Sequence, residues 1–201
     1  MAILVKACVG KGNSKVGNIP TFSLPSRLTC PGASAWCIEH CYALRIERLR
    51  PYCRSGYSHN LVLTWDTERF ISTMLKAIPP DLPCFRIHVC GDLYGESYCQ
   101  GWARVCLQRP RVRFWAYTRS WVVPELRPAL EEMRLVENLV LFASTDPSMP
   151  LPPQGWRAAF IENDPRAEGI ECREQSGYSD SCLSCRYCFM PGAGNVVFRV
   201  H

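Results

Sequence analysis

Thirteen cysteines in 201 residues constrain this chain more than any other feature of its sequence, because seven of them fall into two clusters. The clusters consist of Cys30, Cys37 and Cys41 in the first and of Cys172, Cys182, Cys185 and Cys188 in the second. The N-terminal residues contain too short an apolar stretch for a signal peptide, so we expect the chain in a reducing cytoplasm, where disulfides are disfavoured. Closely spaced thiols in that compartment predict bound metal rather than disulfide bonds.

The composition is that of an ordinary globular chain with a basic surface. Hydrophobic residues make up 47% of the sequence, and no apolar run approaches the length of a membrane span, so we expect no membrane partner. The formal net charge is +5, and most cationic residues are arginine, whose planar fork suits phosphate or carboxylate. This charge permits a nucleic acid or a nucleotide-like small molecule as partner, although a solvated arginine-rich surface explains it as well.

Short β-rich runs alternate with helical stretches along the chain, which predicts an α/β fold. The predicted strands are residues 3–8, 21–24, 85–90, 112–117, 139–143, 158–161 and 196–200. Apolar stripes at helical spacing predict helices within residues 70–78, 98–106 and 126–133. This alternation is typical of parallel βα units, so we expect a partial parallel (βα)6-type barrel in a single domain, residues 1–201. Residues 163–195 have little regular structure and are predicted as a cysteine-rich, metal-bearing insertion near the C-terminus.

Four of the predicted strands end in charged or hydroxyl residues. These endings are Gly91-Asp92, Thr118-Arg119-Ser120, Ser144-Thr145-Asp146 and Glu162-Asn163-Asp164. In parallel α/β folds the chemistry gathers at the carboxyl ends of the strands, so we expect these side chains to converge on one site. Helix capping and loop solvation are the alternative, since Asp, Ser and Thr cap helices well.

The first cysteine cluster lies in one loop, shortly after the predicted strand at residues 21–24. Three thiolates in one loop can bind three irons of a [4Fe–4S] cluster and leave the fourth iron open. A zinc site with His40 or a remote residue as fourth ligand is an alternative, and unligated thiols that pack as small hydrophobes are another.

The second cysteine cluster has consecutive two-residue gaps between Cys182, Cys185 and Cys188, with Cys172 ten residues before the first of them. Such gaps are typical of ferredoxin-type ligation, and four thiolates also form a closed zinc site. His201 is a reserve ligand. A closed site leaves no coordination position open, so it would be structural, or it would transfer electrons from an electron donor. The spacing does not distinguish zinc from a second [4Fe–4S] cluster.

Three polar side chains near the strand ends are candidates for catalysis. Asp92 is suited to bind a cationic amino group or to act as an acid or base. Arg119 is suited to clamp an anion. His88 is a third catalytic candidate, with a structural hydrogen bond as the alternative role. Tyrosines that would line the same pocket, or pack as core aromatics, are Tyr42, Tyr94 and Tyr117.

The segments TFSLPSRLTCPGASAWCIEHCYA, HVCGDLY, YTRS and STD resemble a family of bacteriophage proteins of unassigned function, over most of the chain from about residue 12 onward. A phage origin implies the host cell cytoplasm. The chain is also distantly similar to radical S-adenosylmethionine iron–sulfur enzymes, whose fold is a partial (βα)6 barrel with a three-cysteine cluster loop after the first strand. Their usual spacing is C-x3-C-x2-C, whereas this loop has C-x6-C-x3-C.

The similarity to these enzymes implies S-adenosylmethionine as a cofactor and a set of residues that would bind it. In that superfamily a Gly-Gly-Glu-like motif at the second strand end binds the amino group of the methionine moiety, and Gly91-Asp92 is its nearest counterpart, with Tyr94 in the same segment. Polar residues at the fourth strand end often meet the ribose, and Ser144 and Asp146 are the matching positions.

Three functional hypotheses fit these observations. The first is an iron–sulfur enzyme resembling the radical S-adenosylmethionine class, with the catalytic cluster on Cys30, Cys37 and Cys41. The second is a non-catalytic phage zinc-binding module that docks on nucleic acid or on a host protein. The third is a zinc-bearing barrel that modifies a nucleobase, with Asp92 or Asp146 as nucleophile.

Overall fold

The computed structural model of the protein describes residues 6–200. Its strands are β1 (Val9–Gly10), β2 (Thr21–Phe22), β3 (Cys84–Ile87), β4 (Arg113–Thr118), β5 (Leu139–Ser144), β6 (Arg157–Ile161), β7 (Ile170–Glu171) and β8 (Val196–Phe198). Its helices are α1 (Ala35–Glu39), α2 (Tyr42–Leu49), α3 (Pro51–Leu63), α4 (Thr67–Ala77), α5 (Glu96–Leu107), α6 (Arg127–Arg134) and α7 (Cys182–Cys185). Short 3-10 helices lie at Ser120–Val122, Pro124–Leu126 and Tyr187–Phe189.

The strands of this part of the chain form one eight-stranded sheet in the order β1-β2-β3-β4-β5-β6-β8-β7. Every neighbouring pair from β2 to β7 is parallel, and β1 runs antiparallel to β2. The predicted α/β class with parallel strands is therefore confirmed. The predicted barrel is not, because within residues 6–200 the sheet stays open, with β1 at one edge and β7 at the other. Both edge strands are only 2 residues long, so they present few unpaired backbone groups.

Helices α4, α5 and α6 cover one face of the sheet. Alternate residues of the central strands, such as Phe85 and Phe114, share one buried cluster with the apolar stripes of these helices. Trp102 of α5 lies at its centre, with its ring centroid 5.6 Å from that of Phe22, 5.2 Å from that of Phe70 and 5.9 Å from that of Phe85. These large rings fill the space between helices and sheet.

The opposite face of the sheet is covered by the cysteine-rich C-terminal segment instead of helices from the βα units. Trp115 of β4 packs against Phe189 with ring centroids 5.0 Å apart. Phe142 of β5 shares a second buried cluster with Cys172 and Val196. The segment predicted as an insertion, residues 163–195, thus contains β7, α7 and a 3-10 helix and contributes to the core.

The predicted helices correspond to α4, α5 and α6, whose apolar stripes are regular. Helices α1 to α3 were not predicted, and α3 has no continuous apolar stripe, since only Asn60 and Leu63 are buried in it. Residues 3–5 of the first predicted strand lie outside the described residues, and residues 6–8 are not in a strand. Among the described helices, none is long and apolar enough to span a membrane.

The aromatic cluster around Trp102 predicts a large stability difference between two tryptophans. The Trp102 side chain is 0% exposed and the Trp65 side chain is 72% exposed. We expect Trp102→Ala to lower the free energy of unfolding by about 3–5 kcal/mol, because it removes buried area and leaves a cavity. Trp65→Ala should change it by less than about 0.5 kcal/mol. Chemical denaturation measures both, and equal losses would contradict this core assignment.

Candidate functional site

The first cysteine cluster follows β2 and lies at the carboxyl end of the sheet. Backbone contacts fasten its loop to neighbouring strand ends. The Asp92 amide donates to the Thr29 carbonyl oxygen at 3.0 Å. Gly32 lies directly on the backbone of Arg119, where a Cβ on residue 32 would come within 2.1 Å of the Arg119 carbonyl oxygen. Because only glycine permits this approach, the loop that carries Cys30 is held against the end of β4.

A buried carboxylate fastens α1, which carries Cys37, to the ends of β4 and β5. The Ser34 hydroxyl accepts from the Cys37 amide at 3.0 Å, which caps α1, and it donates to Asp146 Oδ2 at 2.6 Å. Arg119 donates to the same oxygen, while the amide and hydroxyl of Ser148 donate to Oδ1 at 3.0 and 2.5 Å. Burial raises the pKa of Asp146, but these hydrogen bonds and the Arg119 charge outweigh it, so the pKa lies below its ordinary value.

Asp92 is buried and binds backbone groups. Its Oδ1 accepts from the Leu93 amide at 2.7 Å and its Oδ2 from the Arg119 amide at 2.8 Å. Burial raises the pKa of Asp92 above its ordinary value, although hydrogen bonds, of which the strongest effect comes from Thr118, oppose the rise. Asp92 therefore ties the end of β3 to the residue that follows β4.

The three thiols of the first cluster lie near one another on separate elements. Cys30 precedes α1, Cys37 lies within it and Cys41 directly precedes α2. Burial raises the pKa of the Cys30 thiol to about 12, and Asp92, Cys37 and Cys41 add to the rise. The pKa of Cys37 is also raised, because burial outweighs the opposing charge of Arg119. A metal that binds these thiols must displace their protons.

The second cysteine cluster is assembled by a short helix and a tight turn. Cys182 and Cys185 lie one turn apart on α7. Arg186 then adopts the left-handed conformation, with φ 63°, and the chain turns toward Cys188. Cys172 follows β7, and its amide donates to the Val197 carbonyl at 2.8 Å. The charge of Cys172 raises the pKa of Cys182, and those of Cys182 and Cys172 raise the pKa of Cys188, which indicates that the three side chains lie close together.

The second cluster lies against polar and aromatic groups on its face of the sheet. Tyr117 of β4 stacks on Phe142 with centroids 4.9 Å apart. Burial raises the pKa of Cys188 to about 11, against the opposing effect of the neighbouring Tyr117. The Arg86 guanidinium of β3 lies over the Tyr117 ring, 5.4 Å from its centroid.

Neither cysteine cluster is closed around a single point. Among residues 6–200, no three side chains of His, Cys, Asp or Glu form a group that could hold one metal ion as they stand.

Thiols of both cysteine clusters line one cavity of about 690 Å³, although Cys30 of the first cluster is not part of its wall. The cysteines in its wall are Cys37, Cys41, Cys172, Cys182, Cys185 and Cys188. The cavity lies over the sheet face that carries Tyr117 and extends to the carboxyl ends of β4 and β5, at Arg119 and Ser144. Its volume falls in the range of small-molecule sites, roughly 300–1,000 Å³.

The structure brings some of the predicted site residues to this cavity and keeps others away. Arg119 and Ser144 line it, as do Tyr42 and Tyr117. The carboxylates of Asp92 and Asp146 are not part of the wall and are occupied by the contacts described above. The polar strand ends thus do converge, but Asp92 and Asp146 serve there to hydrogen-bond neighbouring segments to one another.

His88 and Tyr94 lie on the helix-covered side, away from the cavity. His88 has a φ of 62°, which breaks the alternation of β3, and its Nε2 lies 2.7 Å from the Tyr98 hydroxyl. Burial lowers the pKa of His88 to about 3, and the Arg86 charge adds to the effect, so the ring is neutral. The Tyr94 hydroxyl is 2.6 Å from the Thr64 hydroxyl. The sequence left catalysis and a structural hydrogen bond open for His88, and the structure shows the hydrogen bond.

Ser34 and Arg86 had no role in the sequence-based hypotheses. Ser34 had a local signal, because a serine three residues before Cys37 fits a helix N-cap. Arg86 also had one, since it is the charged residue in the otherwise apolar strand CFRI, which suggests a strand with one polar face. The contact of Ser34 with Asp146 spans 112 residues, and no local pattern encodes it.

Comparisons with known proteins place the chain among phage proteins. The family model described as "Gene product 88" matches residues 4–188. The chain is 32% identical to the Gene 88 protein of Mycobacterium phage L5 over 218 residues, which covers 93% of this chain and 89% of that protein. It is 36% identical to the Gene 88 protein of Mycobacterium phage D29 over 149 residues, covering 68% of this chain and 60% of that protein. No solved structure matches at a significant level. The predicted resemblance to a phage family is confirmed, and a relationship to radical enzymes is not shown.

The close contact at Gly32 predicts that an added methyl group destabilises the cysteine loop. Gly32→Ala should lower the free energy of unfolding by about 1–3 kcal/mol, because the Arg119 carbonyl cannot move without disturbing β4. Gly56→Ala is the matched control. Gly56 lies within α3, where alanine favours the helix, and its added Cβ would lie 3.4 Å from the Cys8 side chain. Urea denaturation compares the two, and a neutral Gly32→Ala would show that the loop is not held in this way.

The lowered pKa of Asp146 predicts a specific acid sensitivity. Its carboxylate contributes stability above the pKa of the unfolded chain, about 3.9, and this contribution is lost as the pH falls through the lower pKa of the folded state. We therefore expect Asp146→Asn to be less stable at neutral pH and to lose less stability below about pH 4 than the wild type. Thermal unfolding at several pH values across this range measures the slope of stability against pH for both proteins.

The exposed Asp81 provides the control for this acid sensitivity. Asp81→Asn should keep the wild-type slope. Asp164, whose pKa is lowered by its hydrogen bonds with Arg166, contributes in the same direction as Asp146, so the slope should decrease without vanishing. An unchanged slope in Asp146→Asn would refute the role given to this carboxylate.

Proposed function

The chain belongs to the Gene product 88 family, and we propose that it is an iron–sulfur protein in which Cys30, Cys37 and Cys41 bind three irons of a [4Fe–4S] cluster. The observation that carries the proposal is the single cavity that thiols of both cysteine clusters line at the carboxyl end of a parallel sheet. With three cysteines for four irons, one iron would remain open to a ligand in that cavity.

The arrangement of the first three thiols supports a multi-iron centre. They belong to separate elements, before α1, within α1 and at the start of α2. A single zinc ion gathers its thiolates about 2.3 Å from one point. In a [4Fe–4S] cluster each thiolate binds a different iron, so the cluster suits thiols that approach from separate elements.

The charges beside the thiols also support this proposal. A [4Fe–4S] centre with three or four thiolates carries net negative charge in its common oxidised form, and burial of that charge requires nearby cations. Arg119 lowers the pKa of Cys37 against the effect of burial, and Arg86 acts on Cys182 and Cys188 in the same way. Each cysteine cluster thus has a guanidinium group next to it.

The strand order supports an incomplete barrel as the fold of this proposed iron–sulfur protein. Strands β2 to β6 are neighbours in chain order and parallel, and helices α4 to α6 lie on one face. A doubly wound sheet would instead reverse its strand order and place helices on both faces. The face opposite α4 to α6, which the C-terminal segment covers, would be the inside of the incomplete barrel, where the cavity lies.

The second cysteine cluster would hold its own metal with four thiolates. Cys172, Cys182, Cys185 and Cys188 would complete the coordination, which leaves no open position. As a [4Fe–4S] cluster it would pass electrons to the first cluster from an external electron donor. As a zinc site it would only fasten the C-terminal segment to the sheet.

The residues that the similarity implies for S-adenosylmethionine do not fit that cofactor as they stand. Both carboxylate oxygens of Asp92 accept backbone amides, and both oxygens of Asp146 are also occupied. Tyr94 contacts Thr64 on the other side of the sheet, which leaves Ser144 in the cavity wall. Cleavage of S-adenosylmethionine by the purified protein is tested in a separate assay.

Arg119 is the residue best placed to act beside the proposed open iron. One terminal nitrogen of Arg119 forms an ion pair with Asp146, and Arg119 lines the cavity near Cys37. A guanidinium group fixed in this way can hold a carboxylate or phosphate through charge-assisted hydrogen bonds. Its role would be to orient an anionic group next to the cluster.

Anaerobic purification followed by iron, zinc and acid-labile sulfide analysis tests the proposal. We expect about four iron and four sulfide per chain if one cluster forms, or about eight of each if both form, with visible charge-transfer absorbance. Cys37→Ala should remove about four iron from the first site, and Cys185→Ala should affect only the second site.

Cys106→Ala is the control for these substitutions, because Cys106 is a buried thiol on the helix-covered side and should leave the iron content unchanged. Zinc without sulfide would refute the iron–sulfur proposal. That result would favour the phage zinc-binding module that docks on nucleic acid or a host protein, or the zinc-bearing nucleobase-modifying barrel. Salt-sensitive binding to DNA or RNA would then separate these two.

A further inference from the structure

The cavity wall has a marked excess of positive charge. Besides His40, seven lysine or arginine side chains line it, against one carboxylate, that of Glu174. The cations with a carboxylate partner are Lys15 with Glu174, Arg119 with Asp146 and Arg199 with Glu171. Those with no such partner within residues 6–200 are Arg45, Arg50, Arg86 and Arg173. A cavity built in this way repels cations and attracts anions.

Arg86 is the most constrained of these four arginines. It lies in β3, between β2 and β4, and its Nε donates to the His88 carbonyl at 3.0 Å. Its guanidinium carbon is 5.4 Å from the centroid of the Tyr117 ring. One hydrogen bond, from Nε, and one ring contact orient the guanidinium group. No carboxylate within residues 6–200 pairs with this half-buried cation, so its charge can be balanced by thiolates of the second cysteine cluster or by an anion bound in the cavity.

Aromatic side chains stand on both sides of the cavity, among the aliphatic residues and cysteines of its wall. Trp36, which stacks on His40 with centroids 4.3 Å apart, and Tyr42 stand on the side of the first cysteine cluster. Tyr117 and Tyr187 stand on the side of the second. Flat aromatic surfaces suit a planar ring, whereas the arginines suit an anionic group. The volume of about 690 Å³ has room for both in one small molecule.

We propose that this cavity binds a small phosphorylated molecule with a planar ring, that is, a mononucleotide, whose phosphate is held by Arg86 together with the rim arginines Arg45 and Arg50. This inference rests on the proposed function only in placing the bound molecule next to the first cysteine cluster. The argument from charge depends on the arginines alone. A phosphate monoester carries about −1.5 to −2 charge at neutral pH, so it offsets up to two guanidinium charges, whereas a single carboxylate offsets one.

Equilibrium binding to the anaerobically purified protein tests this proposal. The probes are the four ribonucleoside 5′-monophosphates, the matching nucleosides and inorganic phosphate, measured by isothermal titration calorimetry at two salt concentrations. We expect at least one monophosphate to bind more tightly than both its nucleoside and inorganic phosphate, with affinity that falls as salt rises. Arg86→Met, which removes the charge but keeps the length, should weaken that binding by roughly ten- to a hundredfold.

Two other variants guard against misfolding and unspecific charge effects. Arg45→Met changes an exposed rim residue on α2 and should weaken binding by a smaller factor without affecting the fold. Arg104→Met is the matched control, because Arg104 is on α5 and pairs with Glu68 outside the cavity, so binding should not change.

The outcomes separate this inference from the proposed function. Failure of every monophosphate to bind, or equal binding by wild type, Arg86→Met and Arg45→Met, would overturn the inference. A lower metal content in Arg86→Met without a change in nucleotide affinity would also overturn it, and would assign Arg86 to charge balance of the second cysteine cluster. Tight binding of a single-stranded oligonucleotide but of no mononucleotide would overturn the inference and identify the ligand as a nucleic-acid strand. Iron and sulfide analysis of the same samples tests the cluster independently of these results.

Discussion

Asp146 accepts hydrogen bonds from Ser34, Arg119 and Ser148 at the end of β5, and the geometry of the site depends on this buried carboxylate. Through Ser34 it sets the start of α1 and hence the position of Cys37. Through Arg119 it fixes the guanidinium group at the cavity wall. A buried charge with hydrogen bonds on both oxygens is costly to leave half-satisfied, so these groups are expected to move together or not at all.

The two faces of the sheet have different partners, and this difference creates the cavity. Apolar helices pack tightly on one face around Trp102, with the strand residues that point toward them. The other face carries Arg86, Tyr117 and Arg157, which cannot be covered by an apolar helix without loss of solvation. A short, irregular, cysteine-rich segment covers that face instead, and space remains between it and the strand ends.

The thiols of the two cysteine clusters and the arginines of the cavity have opposite electrostatic requirements that complement each other. Burial raises the pKa of Cys30 to about 12 and that of Cys188 to about 11, so ionised thiolates there need a compensating metal or cation. Arg86, in turn, lacks a carboxylate within residues 6–200 and lies beside the second cysteine cluster. A protein with metal bound to the thiols and an anion bound to the arginines would satisfy both sets of groups.

Local patterns in the sequence determined a large part of this structure. The parallel α/β class and helices α4 to α6 follow from apolar periodicity, and the grouping of the cysteines follows from their spacing along the chain. Convergence of Arg119 and Ser144 on one cavity follows from the rule that parallel strands present their carboxyl ends together.

Only the tertiary structure decided which of the polar residues face the cavity. Asp92 and His88 lie within a few residues of Arg86 in the chain, yet Asp92 binds backbone amides and a left-handed φ turns His88 toward Tyr98, whereas Arg86 faces the second cysteine cluster. The placement of both cysteine clusters on one cavity also depends on contacts between distant segments, such as that of Ser34 with Asp146. A sequence pattern records which side chains can bind a metal or an anion, but the direction of each side chain is set by packing and hydrogen bonds between residues far apart in the chain.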